Sequence, residues 1–513
     1  MVRLRLAAWL HPHSSPPHAS NADFKKQNLK PTTEHSTSPL EEKKHHLQKH
    51  QKGEANNNMV LTPQKKKATA LPPSKMIVLA QKISAETEKV EAYFREKGLR
   101  TPSFDVDAPS DFPKMPEDIS RSRREVIHAT QELQDLMVGP RESVRWMAWD
   151  FMGTQSLQLI NHYEIAKLVP LEGTITLSQL QSKAPIDPIN LARLLRHAMT
   201  NHIFQEPKPG VIAHTAASRL LVEDQALQAW VGFNTEDVYP GSAHVIDAMK
   251  AYPEATSLTQ TGFNFAFDTV DKEPMFVTIG KDPKRAQRMA QAMNSLTGGE
   301  GYELSYLTEG CDLTDVDARG GTLVDVGGSH GFVCMHLAQQ YGNMQFVVQD
   351  LPSTIDSAPQ PICADPQIAG RVRFQKHDFF TPQPVAGADV YFFRWIMHNY
   401  STPYAVQILR NLIPALKPGA RIVINDHCLR EAGAENPWDE RLMRSMDLVM
   451  MTLLNAQERD EGDFRQLFKM AGDGFVFKGV TRPQGCRMSI IEAVWRPDQA
   501  KQVTEGLSKP TST

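Results

Sequence analysis

Apolar and polar positions divide the chain into a polar leading stretch, a long helical region and a region where strands and helices alternate. Periodic apolar residues are nearly absent from residues 1–75, where His, Lys, Pro, Ser, Thr and Asn predominate. Such a segment buries too little apolar surface to offset the entropy lost on ordering, so it is predicted to be a disordered polar tail. Residues 498–513 are also polar and are predicted to form a loose tail.

Helical periodicity dominates residues 76–300. Ile77–Leu99 spaces its apolar residues as an amphipathic helix does, and Gly98 is expected to cap it. The apolar face of this helix packs either within its own chain or on a second subunit, and the pattern leaves both open. Arg100–Pro116 is rich in Pro and Asp and is predicted to be a linker. Large apolar residues beyond the linker are predicted to fill cores: Trp146, Trp149, Phe151, Leu157, Leu159 and Ile165.

Within this region, Thr176–Ser218 has the pattern of a helix-turn-helix followed by a two-stranded wing. Arg193, Arg196 and His197 share the second helix, so a winged-helix DNA-binding regulator is one alternative. The same helix also carries an ordinary core stripe: Leu191, Leu194 and Leu195. Because basic residues opposite such a stripe are usually solvated, we interpret residues 76–300 as a winged-helix-like dimerisation and substrate domain.

Residues 301–497 alternate between β-branched apolar runs and helical patterns. The predicted strands are Leu323–Val326, Phe346–Gln349, Val372–Lys376, Val390–Phe393 and Arg421–Asn425. The predicted helices and linker of this region are Tyr404–Leu416, Glu440–Leu454 and the linker Gly298–Gly320. This alternation indicates a doubly wound α/β domain, whose ligands bind at the carboxyl ends of the strands.

Charge and composition narrow the class of function. Lys and Arg total 56 against 59 acidic residues, so no overall field attracts nucleic acid or an acidic membrane, and a small-molecule partner is favoured. No run approaches the roughly 18 apolar residues that span a bilayer. The five cysteines are odd in number and lack C-x-x-C spacing, which favours a reducing, cytoplasmic location.

The turn after the first predicted strand, DVGGSHG, indicates a nucleotide site. Gly327 and Gly328 let the backbone lie close to a ligand, and Asp350 ends the next strand, where a carboxylate can accept the ribose hydroxyls. A dinucleotide site would need glycine at Val326, and Asp325 would repel phosphate. A cationic nucleoside such as S-adenosylmethionine fits better, and a glycine turn of an unrelated α/β sheet is the alternative.

Polar residues also follow the third and fourth predicted strands. Asp378 can accept a hydrogen bond from an adenine amino group while Phe379 or Trp395 covers the ring. An aspartate that only caps its own turn is the alternative. Arg394 follows the fourth strand on the same rim.

His398 is the strongest candidate for acid-base chemistry. Methylation of a phenol requires the removal of a proton whose pKa is about 10, whereas the pKa of histidine is about 6.5. Complete transfer of that proton to histidine is therefore uphill by roughly 5 kcal/mol. Deprotonation must therefore accompany attack or be assisted, and another group must fix the tautomer of the base and stabilise the imidazolium. Asp426 and Glu458 are the candidates for that group, and the alternative is a histidine with a purely structural role.

Six ordered segments carry a family resemblance: DVGGSHG, FVVQDLP, HDFF, RWIMHNY, LKPGARIVIND and LLNAQERDEGDF. They resemble the class I S-adenosylmethionine-dependent O-methyltransferases of the plant caffeate and flavonoid type, and most of all the fungal branch that methylates aromatic polyketides. The resemblance covers about Met76 to Trp495. It implies a helical, winged-helix-like dimerisation domain before a Rossmann-like catalytic domain, in a homodimer that acts on an aromatic small molecule.

The resemblance also implies roles for individual residues. The implied cofactor contacts are Gly327, Asp350, Asp378, Phe379 and Arg394. His398 is implied as the proton acceptor, with Asp426 and Glu458 orienting it. Met293 and Met450 are implied to line the acceptor pocket, where a pliable thioether suits a flat ring. No metal is implied, because the acids surround a histidine and form no carboxylate cluster suited to Mg²⁺.

Four positions depart from the plant pattern, which commonly has glycine at Ser329, lysine at Arg394, aspartate at Asn399 and glutamate at Asp426. Arg394 keeps the positive charge. Asp426 has the shorter reach, so Glu458 is expected to carry more of the task of orienting His398. The expected function is methylation of a phenolic hydroxyl of an aromatic secondary metabolite. The alternatives are a catalytically inactive regulatory relative, a DNA-binding regulator, and an N- or C-methyltransferase.

Overall fold

The computed structural model describes residues 72–498, so the predicted tails lie outside the described residues except at their inner ends. The region before the main sheet is mostly helical, as predicted. Its first helices are α1 (Lys75–Glu96), α2 (Glu117–Val138), α3 (Pro140–Met147), α4 (Phe151–His162), α5 (Ile165–Leu168), α6 (Leu177–Lys183), α7 (Pro188–Met199), α8 (Ala216–Glu223) and α9 (Gln225–Phe233). Shorter helices and one long one follow: α10 (Tyr239–Ala243), α11 (Val245–Ala251), α12 (Gly262–Ala266), α13 (Met275–Gly280) and α14 (Pro283–Thr297).

The first predicted helix forms as α1 and packs against α2. Leu79 and Phe94 are its buried residues, and Gly98 follows its end with φ of +63°, a conformation that glycine adopts without strain.

The predicted core role of three later aromatic residues is wrong. Trp146, Trp149 and Phe151 are 59%, 63% and 43% exposed, because the short helix α3 and the start of α4 turn this face away from the chain.

The helix-turn-helix and wing form as predicted. Helices α6 and α7 precede the hairpin β2 (Gln205–Lys208) and β3 (Val211–Ala213), and β3 also pairs with β1 (Ile175–Thr176). The basic residues of α7 all have partners within the chain. Arg196 pairs with Glu206, while Arg193 and His197 hydrogen-bond Asn190 and Ser156. These partners favour a structural role for the module over DNA contact.

The second region contains a seven-stranded, mainly parallel sheet, which confirms the predicted fold class. Its strands are β4 (Thr322–Val326), β5 (Gln345–Asp350), β6 (Val372–Lys376), β7 (Val390–Arg394), β8 (Arg421–Asp426), β11 (Phe475–Thr481) and β12 (Ser489–Trp495). A separate parallel pair consists of β9 (Cys428–Leu429) and β10 (Arg459–Asp460). The remaining helices are α15 (Ser305–Gly310), α16 (Thr314–Ala318), α17 (Phe332–Gln340), α18 (Pro352–Ser357), α19 (Pro366–Ala369), α20 (Thr402–Leu412), α21 (Pro437–Leu454) and α22 (Glu461–Ala471).

The strand order, β11-β12-β8-β7-β4-β5-β6, positions the site. The sequence of strands reverses between β4 and β7, and ligands bind in doubly wound sheets at such a switch point. Strands β4, β5, β7 and β8 are mostly apolar and buried, as expected for strands covered on both faces, whereas the edge strands β6 and β11 are partly exposed. The turns after β4, β5, β6, β7 and β8 therefore meet along one rim.

Three local predictions need correction. The predicted linker Gly298–Gly320 contains the short helices α15 and α16. The antiparallel strands β11 and β12 did not emerge from the sequence pattern. Phe332, which the helical periodicity places in a core stripe, is 56% exposed at the first position of α17. The predicted boundary near residue 300 stays a prediction.

Helices of the first region also pack against helix α21, which lies in the second region. Helix α21 contacts α2, α10 and α12 as well as the turn at residues 397–399. Among the helices of residues 72–498, none combines the length and apolar character needed to cross a bilayer. The cytoplasmic location inferred from the cysteines stays a prediction.

Candidate functional site

The glycine turn after β4 closes tightly over the sheet. The amide groups of Gly327 and Gly328 both donate to the carbonyl of Gln349, at 2.8 and 3.0 Å. Gly327 has φ of +79°, and a Cβ there would lie 2.6 Å from the Cδ1 of Ile396 and 3.7 Å from the Cε1 of Phe379. The turn therefore has no room for a side chain and borders an apolar surface made by the turns after β6 and β7.

Asp350 at the end of β5 faces this turn. Its Oδ2 accepts a hydrogen bond from the amide of Ser329 at 2.9 Å, and its Oδ1 accepts one from Leu351 at 2.8 Å. Burial raises the pKa of Asp350 above its ordinary value, although these backbone donors act in the opposite direction. Each carboxylate oxygen has a second lone pair, so the group remains able to accept from a ribose diol.

The turn after β6 holds Asp378 and Phe379. Asp378 Oδ1 accepts a hydrogen bond from the amide of Phe380 at 2.9 Å, so this aspartate caps its own turn, as one alternative anticipated. The ring of Phe379 lies edge-on to Tyr400 at 5.6 Å and close to Gly327. Phe379, rather than Trp395, is therefore the aromatic side chain next to the glycine turn.

The guanidinium of Arg394, at the end of β7, is hydrogen-bonded to other residues of the chain. It donates to the Asn425 side chain and, at 2.9 Å, to the carbonyl of Tyr302. Burial lowers its pKa from that of a free arginine, while nearby acidic groups favour the charged form. A direct contact between Arg394 and a cofactor stays a prediction.

The residues on the rim fit S-adenosylmethionine, the cofactor predicted from the sequence. The side-chain-free turn at Gly327 lets a nucleoside approach the backbone, Asp350 supplies a carboxylate and Phe379 supplies an apolar ring. No phosphate cradle is needed for this molecule, and Asp325 lies buried directly beneath the turn. Burial raises the pKa of Asp325 to about 7.

His398 lies in a short 3₁₀ turn, Met397–Asn399, that follows β7. Its Nδ1 is 2.9 Å from Oε1 of Glu458, and the side chains are 7% and 0% exposed. Burial alone lowers the pKa of His398, but the Glu458 carboxylate outweighs burial and raises it above the ordinary value. Because a carboxylate accepts the Nδ1 proton, Nε2 is left as the nitrogen that can take a proton from a substrate.

Asp426 contacts the same histidine differently. Its Oδ2 accepts a hydrogen bond from the main-chain amide of His398 at 3.1 Å, and not from the imidazole. Burial raises the pKa of this carboxyl group. Asp426 therefore fixes the backbone of the 3₁₀ turn, whereas Glu458 orients the ring, which fits the shorter reach of aspartate at this position.

Arg459 secures the turn from the other side. It is 1% exposed, and its two terminal nitrogens donate to the carbonyls of Met397 and Tyr400 at 2.6 and 2.7 Å. Asp447 of α21 holds the adjacent residue, because its Oδ1 accepts from the amide of Glu458 at 2.8 Å. The 3₁₀ turn that carries His398, together with Glu458, is thus fixed by side chains from β8, β10 and α21.

Unpaired polar atoms concentrate at this place. Eight buried side-chain nitrogen or oxygen atoms in residues 72–498 lack a hydrogen-bond partner, and four of them surround His398. These four atoms are Trp395 Nε1, Asp426 Oδ1, His427 Nδ1 and Glu458 Oε2. Buried polar groups are usually paired, so such a cluster is unusual and sets this place apart from the rest of the described residues.

The two methionines predicted for the acceptor pocket lie in different surroundings. Met450 is 6% exposed on α21, one turn after Asp447 and on the helix that contacts the 3₁₀ turn. Met293 is 37% exposed on α14, which packs against α9 and α13. The structure brings Met450 into the neighbourhood of His398 but does not tie Met293 to it.

Sequence reasoning missed three residues of the site: Tyr302, His427 and Arg459. Two of them follow directly after predicted site residues, Asp426 and Glu458, which is the signal that could have identified them. Among the described residues, no group of three or more His, Cys, Asp or Glu side chains is arranged to hold a metal ion.

Comparison with known proteins gives consistent matches. A family model described as an O-methyltransferase domain matches residues 253–475. A chlorophenol O-methyltransferase of Trichoderma longibrachiatum is 59% identical over 429 residues, covering 84% of this chain and 92% of that protein. The O-methyltransferase gsfB of Penicillium aethiopicum is 36% identical, covering 82% of this chain and 98% of that protein.

Solved structures show the same fold. OxaC in complex with SAH and oxaline superposes with a TM-score of 0.64 at 24% identity, covering 82% of this chain and 100% of that one. LepI in complex with SAM superposes with a TM-score of 0.62 at 21% identity, covering 81% of this chain and 99% of that one.

Proposed function

The chain belongs to the O-methyltransferase family and is an S-adenosylmethionine-dependent O-methyltransferase, and we propose that His398 is the base with which it methylates a phenolic hydroxyl. The proposed acceptor is an aromatic secondary metabolite of the polyketide kind, with chlorinated phenols among the rings it accepts. The similarity to a chlorophenol O-methyltransferase supports this choice of ring.

The observation that carries the proposal is the 2.9 Å contact between Nδ1 of His398 and Glu458. S-adenosylmethionine supplies the methyl group when bound. Glu458 holds the imidazole in the tautomer whose Nε2 accepts the phenolic proton, and it stabilises the imidazolium that results. Asp426 and Arg459 keep the His398 backbone in place, so the base is oriented before the acceptor arrives.

The acidity of the acceptor decides how difficult the proton transfer is. With a phenol of pKa about 10 and an imidazole of about 6.5, full transfer is uphill by roughly 5 kcal/mol. The Glu458 carboxylate narrows this gap because it raises the pKa of His398. Chlorine substituents narrow it from the other side, because they withdraw electrons and make the phenol more acidic.

We expect purified protein and labelled cofactor to convert both phenol and trichlorophenol into methyl ethers. Trichloroaniline has the same ring substituents and a similar size but presents an amine, so it serves as the matched control and is expected to give no product. Mass spectrometry detects the transferred methyl group, and NMR of the product shows whether oxygen or carbon carries it. Methylation of the aniline nitrogen or of a ring carbon, without the ether, contradicts the proposed acceptor.

The proposal includes a homodimer formed through residues 136–152. Nine large apolar side chains of this segment are exposed in the single chain: Leu136, Met137, Val138, Val144, Trp146, Met147, Trp149, Phe151 and Met152. An apolar surface of this kind usually marks a protein interface. The rings of Trp146 and Trp149 are edge-on to each other, with their centroids 5.8 Å apart, and form the aromatic centre of this surface. A second copy of the chain is the proposed partner.

We expect the Trp146→Lys/Trp149→Lys double variant to sediment as a monomer and the wild type as a dimer. Both tryptophans are more than half exposed, so the charges should disturb association without disturbing the fold. Ile189 and Ile246 are 73% and 64% exposed outside this segment, and the Ile189→Lys/Ile246→Lys protein is the matched control. Equal sedimentation of the wild type and the tryptophan variant would reject this interface.

A further inference from the structure

A second histidine lies against the carboxylate that holds His398. His427 Nδ1 is 3.5 Å from Oε1 of Glu458, an electrostatic contact without a hydrogen bond. The same oxygen is hydrogen-bonded to His398 at 2.9 Å. The side chains of His427 and Glu458 are fully buried. The pairing of β9 with β10 produces this approach, because Cys428 is opposite Arg459 in the register. His427 directly precedes β9 and Glu458 directly precedes β10, so these two residues also become neighbours.

The other ring nitrogen of His427 has a partner that determines its tautomer. The hydroxyl of Tyr302 is 3.2 Å from Nε2 of His427. Burial raises the pKa of Tyr302 to about 12, so the hydroxyl keeps its proton at neutral pH and can donate it. If Nε2 accepts from Tyr302, the ring proton lies on Nδ1 and points toward Glu458.

Trp395 packs the two histidines together. Its ring centroid is 4.9 Å from that of His398 and 4.9 Å from that of His427, and 5.6 Å from that of Tyr302. Trp395 has φ of +57°, a conformation that costs a non-glycine residue energy and that occurs mostly where function requires it. The imidazole of His427 therefore has little freedom to turn away from Glu458.

We propose that His427 is a positioning residue for the base: its Nδ1–H, 3.5 Å away, attracts the Glu458 carboxylate electrostatically so that Oε1 faces His398. The inference rests on the proposed role of His398 as proton acceptor. Without the second N–H group, the carboxylate can rotate about its own side-chain bonds, and His398 loses part of the support that fixes its tautomer. His427 itself touches no substrate in this arrangement.

Other charges surround the pair and must be considered in any pH measurement. Asp426 and Arg459 act on His398 with opposite signs, and Asp447 lies close to Glu458 through its main-chain contact. The test therefore compares variants at one position, where these neighbours stay constant. Three substitutions of His427 distinguish the contact that Nδ1 makes with Glu458 from the contact that Nε2 makes with Tyr302.

His427→Asn places an amide near the position of Nδ1, so it can still donate to Glu458. His427→Gln places the amide near Nε2, so it keeps the Tyr302 contact and loses the Glu458 contact. His427→Leu removes both contacts. We expect leucine and glutamine to lower kcat by about tenfold with unchanged KM, and asparagine to restore most of the rate.

NMR titration of ¹³C-labelled histidine gives a readout independent of activity. The His398 signal is assigned by its loss in His398→Gln, and its pKa should fall in the leucine and glutamine variants and recover with asparagine. Unchanged or raised values in those two variants, or rescue by glutamine as good as by asparagine, overturn the proposal. If the leucine protein fails to fold, the asparagine and glutamine pair still decides. A wild-type rate for His398→Ala instead rejects the base itself, whatever the variants at position 427 do.

Discussion

Replacing His398 with alanine should lower kcat/KM for an unsubstituted phenol by about 10²- to 10⁴-fold, because a positioned general base contributes that much to rate. The loss should be smaller for trichlorophenol, which ionises without help and reaches the site partly as its anion. Cofactor affinity, measured calorimetrically with S-adenosylhomocysteine, should stay unchanged, since the Gly327 turn and Asp350 lie on other strands. Equal losses with both phenols would argue that His398 does something other than accept a proton.

The pH profile provides the companion result. Only neutral His398 can accept a proton, and Glu458 raises its pKa above the ordinary value of about 6.5. The activity of the wild type should therefore decline as pH falls, with a midpoint above that value, and this acidic limb should be absent in His398→Ala. His162, an exposed histidine of α4 paired with Glu236, offers the control, and His162→Ala should keep the wild-type profile.

Replacing Arg459 with methionine should lower the free energy of unfolding by about 2 to 5 kcal/mol. The substitution removes the guanidinium donors from the carbonyls of Met397 and Tyr400, and Met397 keeps only the amide of Tyr400 at 3.3 Å. A buried group left unsatisfied costs about 1 to 3 kcal/mol. Loss of a buried positive charge also leaves Asp426 and Glu458 less compensated. Denaturation in urea, followed by circular dichroism, measures the change.

Arg465 on α22 is the matched control for this substitution. It is an exposed arginine paired with Glu461 four residues earlier, and such pairs contribute about 0 to 1 kcal/mol. Arg465→Met should therefore unfold nearly as the wild type does. Arg459→Lys keeps the charge and can reach only one carbonyl at a time, so it should lie between the two. A destabilisation of Arg459→Met no larger than that of Arg465→Met would show that the buried contacts contribute little.

Much of the sheet could be predicted because β4, β5, β7 and β8 carry short apolar runs that are followed by glycine or by polar residues. The predicted strand Val372–Lys376 coincides with β6, three others are one residue too short at one end, and Phe346–Gln349 is one residue too short at each end of β5. Strands β11 and β12 were missed for a physical reason. Gly479 and a register shift interrupt the alternation in β11, and such strands depend on their partners more than on local preference. Helices α15 and α16 are too short to have a clear local signal.

For the site, the order of the motifs and the family resemblance identified His398 and both acids, but not how the contacts divide between them. That Asp426 accepts from a main-chain amide and Glu458 from the imidazole depends on strand register and turn geometry. Arg459 was missed because arginine is rarely buried without a charged partner at hand, and its partners here are carbonyl groups. The exposed Trp146 shows the opposite case, where an apolar residue predicted to be in a core remains 59% exposed in the single chain.

The pairing of β9 with β10 separates the position of the His398–Glu458 pair from the identity of the side chains on α21. These two properties must change independently when an enzyme acquires a new substrate. These strands fix the distance between the end of β8 and Glu458 by main-chain hydrogen bonds, while the intervening chain passes through α21. We therefore expect that side chains on α21 can be exchanged, as long as Asp447 is retained, without moving His398, the proposed base. For directed evolution, libraries confined to α21 should yield variants with altered ring preference and an intact catalytic base.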